Sequence, residues 1–285
     1  MPLDLVTALQ SGSSVFGAEL RPPRAELEAG EGMDAWIDTY HAVQRLTRQG
    51  TFVFLTDGAV GAQEEDNLRH LVINLGGDVP REHVVPILTS KHSLDFCLSY
   101  AERARQNGFR AIVVLGGDAR VGAPRCVEHA WELRKLLRAR DGTIALGGWA
   151  NPNRSPEQQV EYLSSPDFHA EFFLTQIVSH HDPKPVTRFL AEADRRGMTQ
   201  PGVFGVFYYR SAKRRTLEAL RDFLPVPVEQ LIREFAGGAT PEEICARTIR
   251  TMMDAGARHF YISNLPIGRS QAVLAAIRER VGVTT

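Results

Sequence analysis

Val15-Phe16-Gly17-Ala18-Glu19-Leu20 is a short apolar run that carries one carboxylate, and Arg21-Pro22-Pro23-Arg24 follows it at once. Proline has no backbone N–H to give a sheet ladder, so Pro22 and Pro23 force the chain out of the strand. In an α/β protein the carboxyl ends of the strands face the ligand crevice. Glu19 is therefore either a rim acid with no special role or a general acid waiting for a substrate.

Seven further β-like runs follow, at Phe52 to Thr56, Val84 to Thr89, Ala111 to Leu115, Thr143 to Gly147, Phe172 to Thr175, Gly202 to Val206 and His259 to Ile262. Amphipathic stretches separate them, including Met33–Gln49, Ser93–Asn107, Arg125–Arg138, Lys184–Arg196 and Gln271–Arg280. Within Ser93–Asn107, Leu94, Cys97, Leu98 and Ala101 recur at spacings of three and four, which is one face of a helix. Gly50, Gly108 and Gly197 stand where left-handed C-terminal caps are needed.

Strand–helix alternation with short connections implies parallel strands and right-handed crossovers. Closed on itself this is a (β/α)8 barrel, and left open it is a doubly wound sheet; the count of eight favours the barrel. The connection between the seventh and eighth strands has an extra helix, since Pro227–Phe235 precedes Pro241–Ala255. Thr240-Pro241-Glu242-Glu243 opens the second of these with an N-cap, a proline at the first position and an acid at the third. With no linker or repeat in view, residues 1–285 are expected to be one domain.

The 285 residues are 43% hydrophobic and 24% charged with a net charge of −1, which removes any whole-chain argument for nucleic acid or a membrane surface. Cys97, Cys126 and Cys245 lie far apart and read as reduced thiols. There is no apolar run of membrane-spanning length and no signal-peptide pattern, so a cytoplasmic location is expected. Oligomeric state is left open.

In a barrel the residues just after each strand share one rim. Here they are Glu19, Asp57, Thr89, Lys91, Gly116-Gly117-Asp118, Trp149, Asn151, Gln176, Phe207-Tyr208-Tyr209-Arg210 and Asn264. Carboxylates and amides for ring nitrogens, with aromatic faces for stacking, suit a flat polar heteroaromatic ligand. Each also has a plainer reading. Gly116-Gly117-Asp118 reads equally as a tight turn, Trp149 as core, and Lys213-Arg214-Arg215 as a solvated helix face. His180-His181-Asp182 has metal-ligand residue types, but no third ligand at helical spacing, so no metal is expected.

The order of these pieces resembles the methylenetetrahydrofolate reductase family, from about Val15 to about Leu265. Phe16-Gly17-Ala18-Glu19-Leu20-Arg21-Pro22-Pro23-Arg24 is similar to the family's opening segment, and Leu115-Gly116-Gly117-Asp118 to its Leu-Arg-Gly-Asp turn. Phe173-Leu174-Thr175-Gln176, Gly205-Val206-Phe207 and His259-Phe260-Tyr261-Ile262-Ser263-Asn264 resemble its later strand ends. The resemblance implies a (β/α)8 barrel that reduces 5,10-methylenetetrahydrofolate to the 5-methyl form. Glu19 then resembles the general acid, Asp118 the carboxylate that stabilises the iminium cation, and Gln176 the amide that holds the pterin. Phe207, Tyr208 and Asn264 would join Gln176 around the folate, and Thr56, Asp57, Thr89, Gly117, Trp149 and Asn151 would meet the nucleotide.

The departures concern the flavin that most of the family carries. Gly116 stands where flavin-binding members have arginine, Leu163-Ser164-Ser165-Pro166-Asp167-Phe168-His169-Ala170 lacks their two lysines, and Trp149 takes the place of a flanking tyrosine. Charge-assisted contacts to a pyrophosphate contribute roughly 1.5–3 kcal/mol each, so losing several opposes tight FAD binding. The chain resembles the flavin-independent branch of the family known in actinobacteria. That implies NADH or NADPH as co-substrate, direct hydride transfer and no FAD. The alternatives are an FAD enzyme that uses Arg125 or Arg154 for the phosphates, or a folate-binding barrel without activity.

Overall fold

The computed structural model describes residues 4–23, 27, 29–56, 75–117, 122–140 and 142–283. Strands β1 (Phe16–Leu20), β2 (Val53–Leu55), β3 (Val84–Thr89), β4 (Ala111–Leu115), β5 (Ala145–Ala150), β6 (Phe172–Val178), β7 (Gly202–Phe207) and β8 (His259–Ser263) pair in sequence order. All pairs are parallel, and β8 returns to β1 with Phe16 opposite Phe260 and Ala18 opposite Ile262. The chain is a closed (β/α)8 barrel, as the alternation of runs predicts.

The helices among the described residues are α1 (Leu5–Gln10), α2 (Ala29–Arg48), α3 (Leu94–Gln106), α4 (Ala130–Arg140), α5 (Pro156–Ser164), α6 (Lys184–Arg195), α7 (Arg214–Leu220), α8 (Val228–Ala236), α9 (Pro241–Asp254) and α10 (Ser270–Val281). Gly50, Gly108 and Gly197 take φ of +73°, +89° and +64°, the left-handed geometry expected of them. Thr240 and Glu243 form the reciprocal capping box at the start of α9.

Several boundaries differ from the sequence reading. α4 starts at Ala130 rather than Arg125, because the Cys126 N–H donates to Ser90 O across the end of β3 and holds that segment out of the helix. α5, capped by Ser155, lies in a stretch where no helix was read, since its Glu157, Gln158 and Gln159 mask a short apolar stripe of Val160 and Leu163. β5 starts two residues later and runs through Trp149 to Ala150. β6 extends to Val178 through a register shift between Leu174 and Ile177.

Side chains alternate across the barrel wall. Phe16, Ala18 and Leu20 face the helices together with Val53, Leu55, Ile112, Val114, Phe260 and Ile262. Phe54, Val85, Ile87, Val113, Phe172, Leu174, Val203 and Tyr261 fill the interior. α1 contributes Leu5, Ala8 and Leu9 to that interior cluster beside Val15 and Phe52, at the amino-terminal end of the strands. Leu217 of α7, Val228 and Leu231 of α8 and Ile244 of α9 join it beside Phe207 and Tyr209, so the inserted helices wall the opposite end. In the outer shell Arg134 of α4 is fully buried. It donates to Phe168 O, Val114 O and Tyr162 Oη, tying α4 to β4 and to the segment after α5.

The interior leaves no room for side chains at its glycines. A Cβ on Gly205 would lie 2.5 Å from the Tyr261 hydroxyl, and one on Gly17 would lie 2.7 Å from the Phe54 ring. Gly205→Ala should therefore displace Tyr261 and cost about 1–3 kcal/mol, the usual range for overpacking a core. A urea midpoint that falls with an unchanged m-value is the expected result.

Candidate active site

Glu19 stands next to last in β1 and alternates with Ala18 and Leu20, which face the helices, so its side chain points into the barrel at the carboxyl mouth. β8 closes against β1, and Ser263, the last residue of β8, donates its hydroxyl to Glu19 Oε1 at 2.9 Å. Below this pair lies Tyr261, two residues earlier on the same inward face. Tyr261 is buried and donates to Thr175 O at 2.7 Å; burial, and less so the Glu19 charge, pushes its hydroxyl well above the usual tyrosine range. Phe54 completes this floor, its ring 5.9 Å from that of Tyr261.

Burial pushes the Glu19 carboxyl above the usual carboxylate range. The Arg21 charge and the Ser263 hydrogen bond pull it back, by less. A carboxyl in this state keeps its proton to higher pH than a surface acid, which is what a general acid requires.

Inward parity brings more of the expected residues to the same mouth. Thr89 follows Val85 and Ile87 on β3, Trp149 follows Ala145 and Gly147 on β5, and Phe207 follows Val203 and Gly205 on β7. Thr56 Oγ1 is buried without a hydrogen-bond partner among the described residues. Gly117 takes φ +71°, and a Cβ there would lie 2.8 Å from Lys91 Cγ, so the turn after β4 needs glycine for both conformation and space. Gln176 sits in the β6 irregularity. Its Oε1 accepts from the Ile177 N–H at 2.9 Å, which fixes the amide orientation and leaves Nε2 as a donor.

Three expected contacts are placed differently. Tyr208 turns outward, packs in the shell between barrel and helices and donates to Glu242 of α9 at 2.7 Å. The inward partner is Tyr209, whose ring lies 4.9 Å from Phe207 and whose buried hydroxyl has no partner among the described residues. The Asn151 side chain is used in its own turn, where Oδ1 accepts from the Asn153 N–H. Asn264 takes φ +68° and donates Nδ2 to Tyr208 O, joining the ends of β7 and β8. Asp57 and Asp118 lie outside the described residues.

Ser263 is not among the rim residues expected from the sequence, which place Asn264 after the His259–Ile262 run. The available signal was parity: Ser263 is two residues from Tyr261, and Asn264 falls on the other face.

The fold and site define a (β/α)8-barrel protein with a half-buried acid at the carboxyl end of its strands. Solved structures agree on the fold. An F420-dependent secondary alcohol dehydrogenase in complex with an F420–acetone adduct superposes with a TM-score of 0.57 at 14% identity, covering 94% of this chain and 99% of that one. Dihydrodipicolinate synthase from Oceanobacillus iheyensis gives 0.53 at 13% identity, over 96% of this chain and 78% of that one. A comparison with curated protein sequences found no match. The profile of the methylenetetrahydrofolate reductase family matches residues 5–264. The chain belongs to that family, and its members are oxidoreductases.

Two outcomes test the Glu19 environment. Ser263→Ala removes a bond that favours the carboxylate, so the Glu19 titration should move up in pH, read by the pH-dependence of turnover or by a carboxyl NMR resonance. The folded pKa of Glu19 is raised, so its ionisation destabilises the fold as pH rises from about 4.5. Glu19→Gln should therefore melt higher than the native chain at pH 7–8, with the gap closing below pH 4.5.

Proposed function

We propose that the protein reduces 5,10-methylenetetrahydrofolate to 5-methyltetrahydrofolate by direct hydride transfer from NADH or NADPH, with both molecules at the carboxyl mouth together. The observation that carries this reading is Glu19, a half-buried carboxyl with a raised pKa, held by Ser263 over a floor of Tyr261 and Phe54.

In this reaction the five-membered ring of the folate opens as its leaving nitrogen takes a proton. Glu19 donates that proton. We assign stabilisation of the iminium cation left behind to the charge of Asp118. Hydride from the dihydronicotinamide then reaches the exocyclic carbon, giving the methyl group and the oxidised dinucleotide. Gln176 Nε2 holds the pterin by a ring acceptor. Trp149 and Phe207, both facing the interior, stack the rings and set the transfer distance. Tyr209, beside Phe207, takes the place expected of Tyr208 around the folate.

The flavin that the family implies does not suit the residues here. Gly116 has no side chain to offer a phosphate. In the segment before β6, the Ser165 hydroxyl accepts from the Asp167 N–H, capping the short 3₁₀ turn Pro166–Phe168, and the formal charge that Leu163–Ala170 carries is the acid Asp167. A segment that has lost two lysines and carries an acid opposes a pyrophosphate. Arg125 returns one guanidinium to the region: a Cβ on Gly116 would lie 3.0 Å from its Cζ, and Nη2 donates to Gly117 O. We assign Arg125 to the phosphates of the pyridine nucleotide.

Purified protein should show no stoichiometric flavin absorption band, and initial-rate lines with varied nucleotide and folate should intersect. A bound flavin with parallel lines would overturn direct transfer. Folate binding without NAD(P)H oxidation would favour a non-catalytic barrel. Glu19→Gln should lower turnover about 10²-fold or more with little change in KM.

A further inference from the structure

His180 and His181 lie just past β6, after Ser179, and the fold brings Glu234 of α8 and Thr248 of α9 against them. His180 Nε2 lies 3.0 Å from Glu234 Oε1, His181 Nε2 lies 3.2 Å from Glu234 Oε2, and the two rings are 3.9 Å apart. The three side chains are only 9%, 14% and 12% exposed. His181 Nε2 and Glu234 Oε2 face each other at this distance without hydrogen-bond geometry, and neither finds another hydrogen-bond partner among the described residues.

The proton count sharpens the point. Thr248 Oγ1 donates to Ile244 O at 3.1 Å within α9 and lies 2.7 Å from His180 Nδ1. The hydroxyl has one proton for these two contacts, and His180 Nε2 pairs with Glu234 Oε1 on the other side of the ring.

We propose that His180 Nε2, His181 Nε2 and Glu234 Oε2 bind one divalent first-row transition ion of the zinc class. The three ligand-bearing groups approach within 4.8 Å of one another, and the two-imidazole, one-carboxylate set suits such an ion and leaves a position for water. Thr248 supplies the outer-shell contact that ligating histidines characteristically have, orienting the ring through its other nitrogen. Arg247, nearly half-exposed, bonds Glu234 Oε1 and leaves Oε2 to the ion. The ion would clamp the loop after β6, four residues beyond Gln176, to the inserted helices α8 and α9. This site does not depend on the folate reading.

The test is Zn²⁺ titration of the full chain after chelator treatment, followed by equilibrium dialysis and thermal melting, with Mg²⁺ as control. One Zn²⁺ per chain, a melting temperature higher by several degrees and indifference to Mg²⁺ are expected. Thr248→Val, close to isosteric, should weaken Zn²⁺ binding about 10–100-fold without unfolding the chain. The paired change His180→Gln with His181→Gln should abolish it. Substoichiometric Zn²⁺, or affinity unchanged in the paired variant, would overturn the proposal. So would Zn²⁺-indifferent melting that rises on acidification, which would identify a protonated histidine clasp instead.

Discussion

The hydrogen bond from Ser263 to Glu19 joins residues 244 positions apart and exists only because β8 closes against β1. Either residue alone is an ordinary polar side chain at a strand end. Together, at the seam, they set an acid inside the wall of the barrel instead of on its rim. Burial favours the protonated form, the serine restrains the shift, and the closed floor beneath keeps the carboxyl from relaxing inward. The chemistry proposed for this protein depends on that balance.

The floor has its own requirement. Tyr261 and Phe54 reach across the interior only because Gly205 and Gly17 yield the space, so the glycines of the strands belong to the site as much as its polar residues do. Above the floor the inserted helices α7–α9 supply apolar residues beside Phe207 and Tyr209. Reacting groups held on a rigid sheet and walled on one side are well placed for transfer between two stacked rings.

Much of this was legible in the sequence, for identifiable reasons. Strand–helix alternation is a local pattern and gave the barrel; the capping residues Gly50, Gly108, Gly197 and Thr240 marked helix ends by backbone chemistry alone. Parity was less legible. The irregularity in β6 and the late start of β5 come from pairing with neighbouring strands, which no local window records, and they decide where Gln176 and Trp149 lie. Tyr208 and Tyr209 are adjacent aromatics, and only the register of β7 tells that the second faces inward. The meeting of His180 and His181 with Glu234 spans 53 residues or more and depends on how the inserted helices pack. No helical spacing could have announced it.

The central claim is that hydride reaches the folate without an intermediate carrier while Glu19 protonates the leaving nitrogen. Its most direct measurement is turnover in ordinary water with a pyridine nucleotide deuterated on both faces of nicotinamide C4, followed by mass analysis of the product methyl group. Direct transfer predicts one deuterium in every product methyl, with none lost to solvent. A methyl group carrying solvent hydrogen would mean an exchangeable carrier intervened, and would contradict the account.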